Sequence, residues 1–200
     1  MRGVTPAMPE EKAGLPILGF ADRAALEAWL QAEGRTSQGI WLRLAKKESG
    51  RASVSKPEAI DALLCYGWID GQLDRYDEES WLIRLTPRRP RSKWSERNRA
   101  RALELIAAGR MRPAGLAEIA AAKADGRWDD AYAPQSEAEV PPDLQAALDA
   151  SPKAAAFFAT LKGGNLYAIL YRIGEARKPE TRAARVAKYV AMLERGETLH

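Results

Sequence analysis

The chain has little of what most catalytic chemistry needs. Its one histidine is the last residue, His200, which removes Ser-His-Asp and Cys-His arrangements and most zinc sites. Its one cysteine, Cys65, cannot close an internal disulfide; that fits a reducing compartment, and the expected location is cytoplasmic. Cys65 lies in the apolar stretch "ALLCYG", where nothing nearby in sequence lowers a thiol pKa, so it is expected to be a buried, unreactive hydrophobe. No apolar run approaches the about 18 residues of a membrane span. Neither G-x-G-x-x-G nor G-x-x-x-x-G-K-[ST] occurs, and no cofactor and no metal are expected. The opening "MRGVTPAMPEEKAG" lacks the apolar core of a secretory signal and reads as part of a flexible leader over residues 1–17.

What is present is charge, unevenly placed. The net charge of +4 conceals a local excess. Between Trp81 and Arg101 stand Arg84, Arg88, Arg89, Arg91, Lys93, Arg97, Arg99 and Arg101 against one acid, Glu96. A second excess runs from Arg172 to Lys188 and includes Arg177, Arg182, Arg185 and Lys188. The rest of the chain is acidic on balance, so these two patches say more about partners than the overall charge does. Arginine dominates the first, and its planar fork matches phosphate and carboxylate better than lysine does.

Local patterns place the elements. "ADRAALEAWLQAEG" is a helix with Asp22 as N-cap and Leu26, Trp29 and Leu30 on one face. "GIWLRLAKKES" alternates, with Ile40, Leu42 and Leu44 on one side and Trp41 and Arg43 on the other, which is a strand pattern. "SKPEAIDALLCYG" carries a capping box, Ser55 with Glu58, and closes at Gly67. Residues 68–76 and 81–86 form a hairpin around Asp77-Glu78-Glu79. Pro87 and Pro90 keep the arginine-rich segment out of a helix. Ser95 then caps a helix whose core face is expected at Leu103, Ile106 and Ala107, and Pro113 opens another. Ser151-Pro152 and Pro179 start further helices, the last with Ala183, Val186, Val190 and Leu193 on one stripe. The expected architecture is α+β: a small antiparallel sheet with packed helices over residues 18–128, a linker over 129–142, and a helical C-terminal domain over 143–200.

Asp70 and Asp74, four apart on one strand, are expected on one face and roughly 13 Å apart, too far for a retaining glycosidase pair. Asp70 reads either as a turn residue before Gly71 or as a site residue facing the arginines. Trp29 and Trp81 are expected in the core. Trp68 and Trp94 stand beside polar stretches, and two readings stay open for them: a stacking surface for a base or ring, or a packing residue that fixes where a helix begins.

Several motifs resemble the YdeI/OmpD-associated, or bacteriocin-protection, family. They are G-W-I-D-G at 67–71, the L-T-P-R-R-P-x-S-x-W-S-x-x-N run at 85–98, G-R-M-x-P-A-G at 109–115, and A-x-K-P-E-T-R at 176–182. The resemblance runs from about Leu18 onward. It implies no settled reaction. The N-terminal part is similar in layout to YjbR-like domains, some of them described as DNA-binding, which implies a small antiparallel sheet with packed helices. Where relatives often carry Asn after Ser92, this chain has Lys93.

Three functional readings stay open. The first is a polyanion- or nucleic-acid-binding, or stress-protection, module. In it Arg88, Arg89, Arg91 and Lys93 sit on a stiff loop that leads into the N–H groups of a helix start, and Arg177, Arg182, Arg185 and Lys188 extend the track. The second is a binder of, or enzyme on, a phosphorylated or carboxylated small molecule, with a pocket around Asp70 and Arg88 that draws on Ser92, Trp94, Ser95 and Asn98. The third pairs the arginines with internal acids and has no ligand. A protein partner on the C-terminal helices is compatible with all three.

Overall fold

A computed structural model describes residues 10–133 and 139–199. The chain divides into two compact units, residues 1–131 and 132–200. The first is built on a five-stranded sheet of order β1-β2-β3-β5-β4, with β1 at Glu11–Lys12, β2 at Leu15–Gly19, β3 at Ile40–Ala45, β4 at Trp68–Arg75 and β5 at Ser80–Pro87. The residues expected as a leader, 1–17, therefore include β1 and the first part of β2; residues 1–9 lie outside the described residues. The sheet is antiparallel except for β2 and β3, which run parallel. A parallel pair needs a crossover rather than a hairpin, and helix α1 (Arg23–Glu33) supplies it.

Alternation decides the two faces of the sheet. Ile40, Leu42 and Leu44 of β3 and Ile83 and Leu85 of β5 meet Leu26 and Leu30 of α1 and Ala59, Ala62 and Leu63 of α2 (Lys56–Tyr66). Each fully buried aliphatic side chain contributes about 1.5–3 kcal/mol. Trp29 and Trp81 pack against the same core. Trp68 is buried there too, and its indole N–H donates to the Gly34 carbonyl at 3.2 Å. Of the two readings for Trp68, the structure has the packing residue. On the opposite face Leu15, Trp41 and Leu82 form a small cluster with Ile17 and Tyr76 that contains no helix residue.

Helix α2 is apolar on more than one side because it is covered twice. Its far side, Leu64 and Cys65, packs with α3 (Glu96–Ala107), α4 (Pro113–Ala124), Trp94 and Trp128. The core face expected for α3 is not the one used. Ala102 and Leu105 are buried, while Leu103, Ile106 and Ala107 face outward. The partner surface decides this: Trp94 lies under the helix start, and Arg101 is drawn to Asp61 on α2. That carboxylate accepts two hydrogen bonds from Arg101 at 2.6 Å and one from Arg110 at 3.1 Å.

The second unit is helical: α5 (Pro142–Asp149), α6 (Pro152–Thr160), α7 (Gly163–Gly174) and α8 (Pro179–Glu194). Leu144, Leu148, Ile169, Ile173, Val186 and Leu193 make its core. The α8 stripe is shifted from the expected one, with Tyr189 and Met192 buried and Ala183 outside. The expected N-caps are all present: Asp22, Ser55, Ser95 and Ser151 each accept from a backbone N–H three residues on.

Candidate functional site

The arginine-rich segment is an ordered loop closed on itself. The Arg88 N–H donates to the Gly67 carbonyl at 3.0 Å, which ties the loop to the left-handed turn that ends α2. The Ser92 hydroxyl accepts from the Arg89 N–H at 2.9 Å. Two guanidiniums then hold consecutive carbonyls: Arg127 donates to Ser92 at 2.7 Å and Arg88 to Lys93 at 3.2 Å. Arg127 is itself steadied by Asp125 at 2.8 Å. Arg91, at the tip, has φ +76°, a left-handed conformation that costs a non-glycine residue about 1 kcal/mol or more.

Most of the residues expected to bind are used by the fold. Trp94 is buried edge-on to Trp128, centroids 4.8 Å apart, so the stacking-surface reading does not hold for it. Arg88 is only 6% exposed and lies over the Trp94 ring, its guanidinium carbon 3.7 Å from the centroid. The Ser95 hydroxyl caps α3 by accepting from the Asn98 N–H at 3.1 Å. Arg99 donates to the Trp128 carbonyl, and Arg101 is engaged by Asp61 and Glu104. Lys93 is exposed.

Asp70 and Asp74 do not share a face. Asp70 stands opposite Leu85 and Asp74 opposite Leu82, three residues apart on β5, so they face opposite sides. The cause is a bulge in which Gly71 and Gln72 together oppose Arg84. Asp74 pairs with Lys12 at 2.6 Å, and that hydrogen bond holds its carboxyl below the usual carboxylate value.

The bulge shapes a hollow of about 290 Å³ between β4, β5 and the loop. Gly71, Gln72, Arg84, Thr86, Arg89 and Ser92 line it, and no carboxylate does. Arg84 and Arg89 are exposed and have no acidic partner among the described residues. Of the expected site, then, Arg89 and Ser92 reach the hollow; Asp70, Arg88, Trp94 and Ser95 do not line it. Arg84, Thr86 and the bulge were missed. Alternation on β5 carries the signal for the first two, because residues 84 and 86 alternate with the core positions 83 and 85.

The second basic patch is partly internal. Arg182 forks onto Asp143 at 2.6 and 2.8 Å and donates to the Ile173 carbonyl, and Arg185 donates to that of Arg172. The fork fastens α8 to α5, and the two carbonyl bonds fasten it to the end of α7. Arg182 in turn holds the Asp143 carboxyl below its usual value. Arg177 lies in the turn before α8, and Lys188 is exposed on it.

The fold and this hollow define an α+β domain with an arginine-lined groove, followed by a helical domain. Residues 18–118, just over half the chain, match the family model described as "Domain of unknown function (DUF8412)", and the chain belongs to that family. Residues 137–196 match the model described as "Bacteriocin-protection, YdeI or OmpD-Associated", which covers the helical unit. The motifs at 67–71, 85–98 and 109–115 fall within the first match, so the YdeI/OmpD-associated resemblance is narrower than the stretch from Leu18 onward. No curated protein and no solved structure matches the chain.

Proposed function

We propose that this chain is an anion-binding module, a non-enzymatic member of the bacteriocin-protection type, whose site is the hollow at Arg84, Arg89, Thr86 and Ser92 and whose ligand is the phosphate backbone of a nucleic acid. The observation that carries this reading is a lining that holds no carboxylate, and whose charged and polar side chains can all donate, in a chain with 27 acids. Two guanidiniums, two hydroxyls and an amide converge on one recess, and phosphate offers them only acceptors. The loop is already ordered by Arg88, Arg127 and the closing Ser92 bond. Little conformational freedom is therefore lost on binding. A pocket around Asp70 and Arg88 has no comparable support, because neither residue lines the hollow.

The test is fluorescence anisotropy of labelled oligonucleotides across a salt series, with wild type and the double variant Arg84→Ala/Arg89→Ala. Binding should weaken with salt, and the variant should flatten the log–log slope by about 0.7 to 0.9 for each phosphate it no longer neutralises. Binding that is absent, or that has the same slope in the variant, refutes the proposal. A rise in thermal stability on adding inorganic phosphate, without oligonucleotide binding, would place a small phosphorylated ligand in the hollow instead.

A further inference from the structure

A second hollow, of about 220 Å³, lies on the same face of the sheet. Arg43, Ala45, Arg51, Ser53 and Ser80 line it together with the Gly19–Ala21 turn, and again no carboxylate does. Register places it. Arg84 stands opposite Trp41, Arg43 opposite Leu82 and Ala45 opposite Ser80, so Arg84, Arg43 and Ser80 all point to the side away from α1 and α2. The chain therefore carries a guanidinium pair, Arg84 with Arg89, near one end of the β3–β5 ladder and another, Arg43 with Arg51, near the other.

Arg43 leans on the Tyr76 ring at 5.8 Å and has no salt bridge among the described residues. Arg51 is paired with Glu79 at 2.6 Å, but both side chains are about half exposed. Such a pair is weak in water, and a phosphate can exchange for the carboxylate. From Ser80 to Thr86 the strand rises about 20 Å. At about 3.4 Å per phosphate of a stacked strand, that is the span of some six nucleotides.

We infer that the two hollows form one site, and that its ligand is a single nucleic-acid strand laid across the helix-free face of the sheet. This rests on the anion-binding reading of the Arg84–Arg89 hollow and extends it. Stiffness selects a single strand. Duplex DNA, with a persistence length of about 50 nm, does not bend into two recesses within one sheet, whereas a single strand does.

The experiment compares a thymidine dinucleotide, an oligothymidylate of about six nucleotides and a G·C-rich hairpin that stays duplex under the assay conditions. The proteins are wild type, Arg84→Ala/Arg89→Ala, Arg43→Ala and Arg51→Ala; the last removes only a half-exposed side chain and its surface pair with Glu79, and circular dichroism checks all folds. The longer strand should bind wild type at least about tenfold more tightly than the dinucleotide and the duplex. Arg43→Ala and Arg51→Ala should each weaken the longer strand by several-fold to about tenfold. Neither should alter dinucleotide binding in the Arg84–Arg89 hollow, which only the double variant removes. If Arg43→Ala and Arg51→Ala both bind the longer strand like wild type while the double variant does not, the single-site inference is overturned and the anion-binding reading stands. If the double variant also binds normally, both fall. Duplex binding as tight as the single strand overturns the choice of ligand.

Discussion

Gly115 is where the structure and helix propensity make opposite forecasts. It lies in the first turn of α4, two residues after Pro113, with ordinary helical backbone, so propensity alone says that Gly115→Ala should stabilise by about 0.5–1 kcal/mol. Packing says the reverse. A methyl there would lie 2.4 Å from the Cys65 carbonyl oxygen and 2.5 Å from that of Leu64. An ordinary carbon-to-oxygen contact is about 3.3 Å or longer, so α4 must withdraw from the end of α2 by roughly 0.9 Å. The Arg112 N–H bond to the same Cys65 carbonyl, 3.1 Å, stretches with it. Overpacking of this kind costs about 1–3 kcal/mol, which leaves a net loss of about 1–2 kcal/mol. All six tryptophans precede residue 132, so indole fluorescence in urea follows the first unit alone. The midpoint should fall by about 0.5–1 M. The control is Gly164→Ala in α7, where nothing lies within 4 Å of the added methyl; it should leave stability unchanged or raise it slightly by circular dichroism. A G115A midpoint at or above that of wild type would refute the reasoning.

Four further outcomes are expected. Arg101 holds the Asp61 carboxyl below its usual value, so the stability this group contributes is full above about pH 4 and is lost as the pH falls further. Asp61→Asn should therefore be clearly less stable than wild type at neutral pH, and the gap should close in acid; a gap independent of pH counts against the linkage. Burial pushes the Cys65 thiol pKa up, so thiol labelling should be slow in native buffer and fast in denaturant, with rapid native labelling the contrary result. Arg127→Ala removes the donor to the Ser92 carbonyl, and amide exchange across residues 88–95 should rise while oligonucleotide affinity falls; unchanged exchange means the loop is held without it. Residues 132–200 expressed alone should give a helical circular dichroism spectrum, and a disordered spectrum would show that the helical unit needs the first.

The amino-acid sequence alone determined what depends on near neighbours. Asp22, Ser55, Ser95 and Ser151 cap their helices through bonds that close within three residues, so spacing was enough to find them. Alternation on β3 separated Ile40, Leu42 and Leu44 from Trp41 and Arg43 for the same reason. Tertiary structure decided whatever depends on a distant partner. One extra residue in β4 turned Asp70 and Asp74 to opposite faces and opened the hollow opposite Arg84. The crossover from β2 to β3 made strands of residues expected as leader. On α3, two apolar stripes competed, and Trp94, Trp128 and Asp61, all remote in the chain or outside the helix, selected Ala102 and Leu105 over Leu103 and Ile106. The arginines followed the same rule: composition shows how many cations a segment carries, but whether each meets an indole, a carbonyl, a carboxylate or water is set by what the fold brings alongside it.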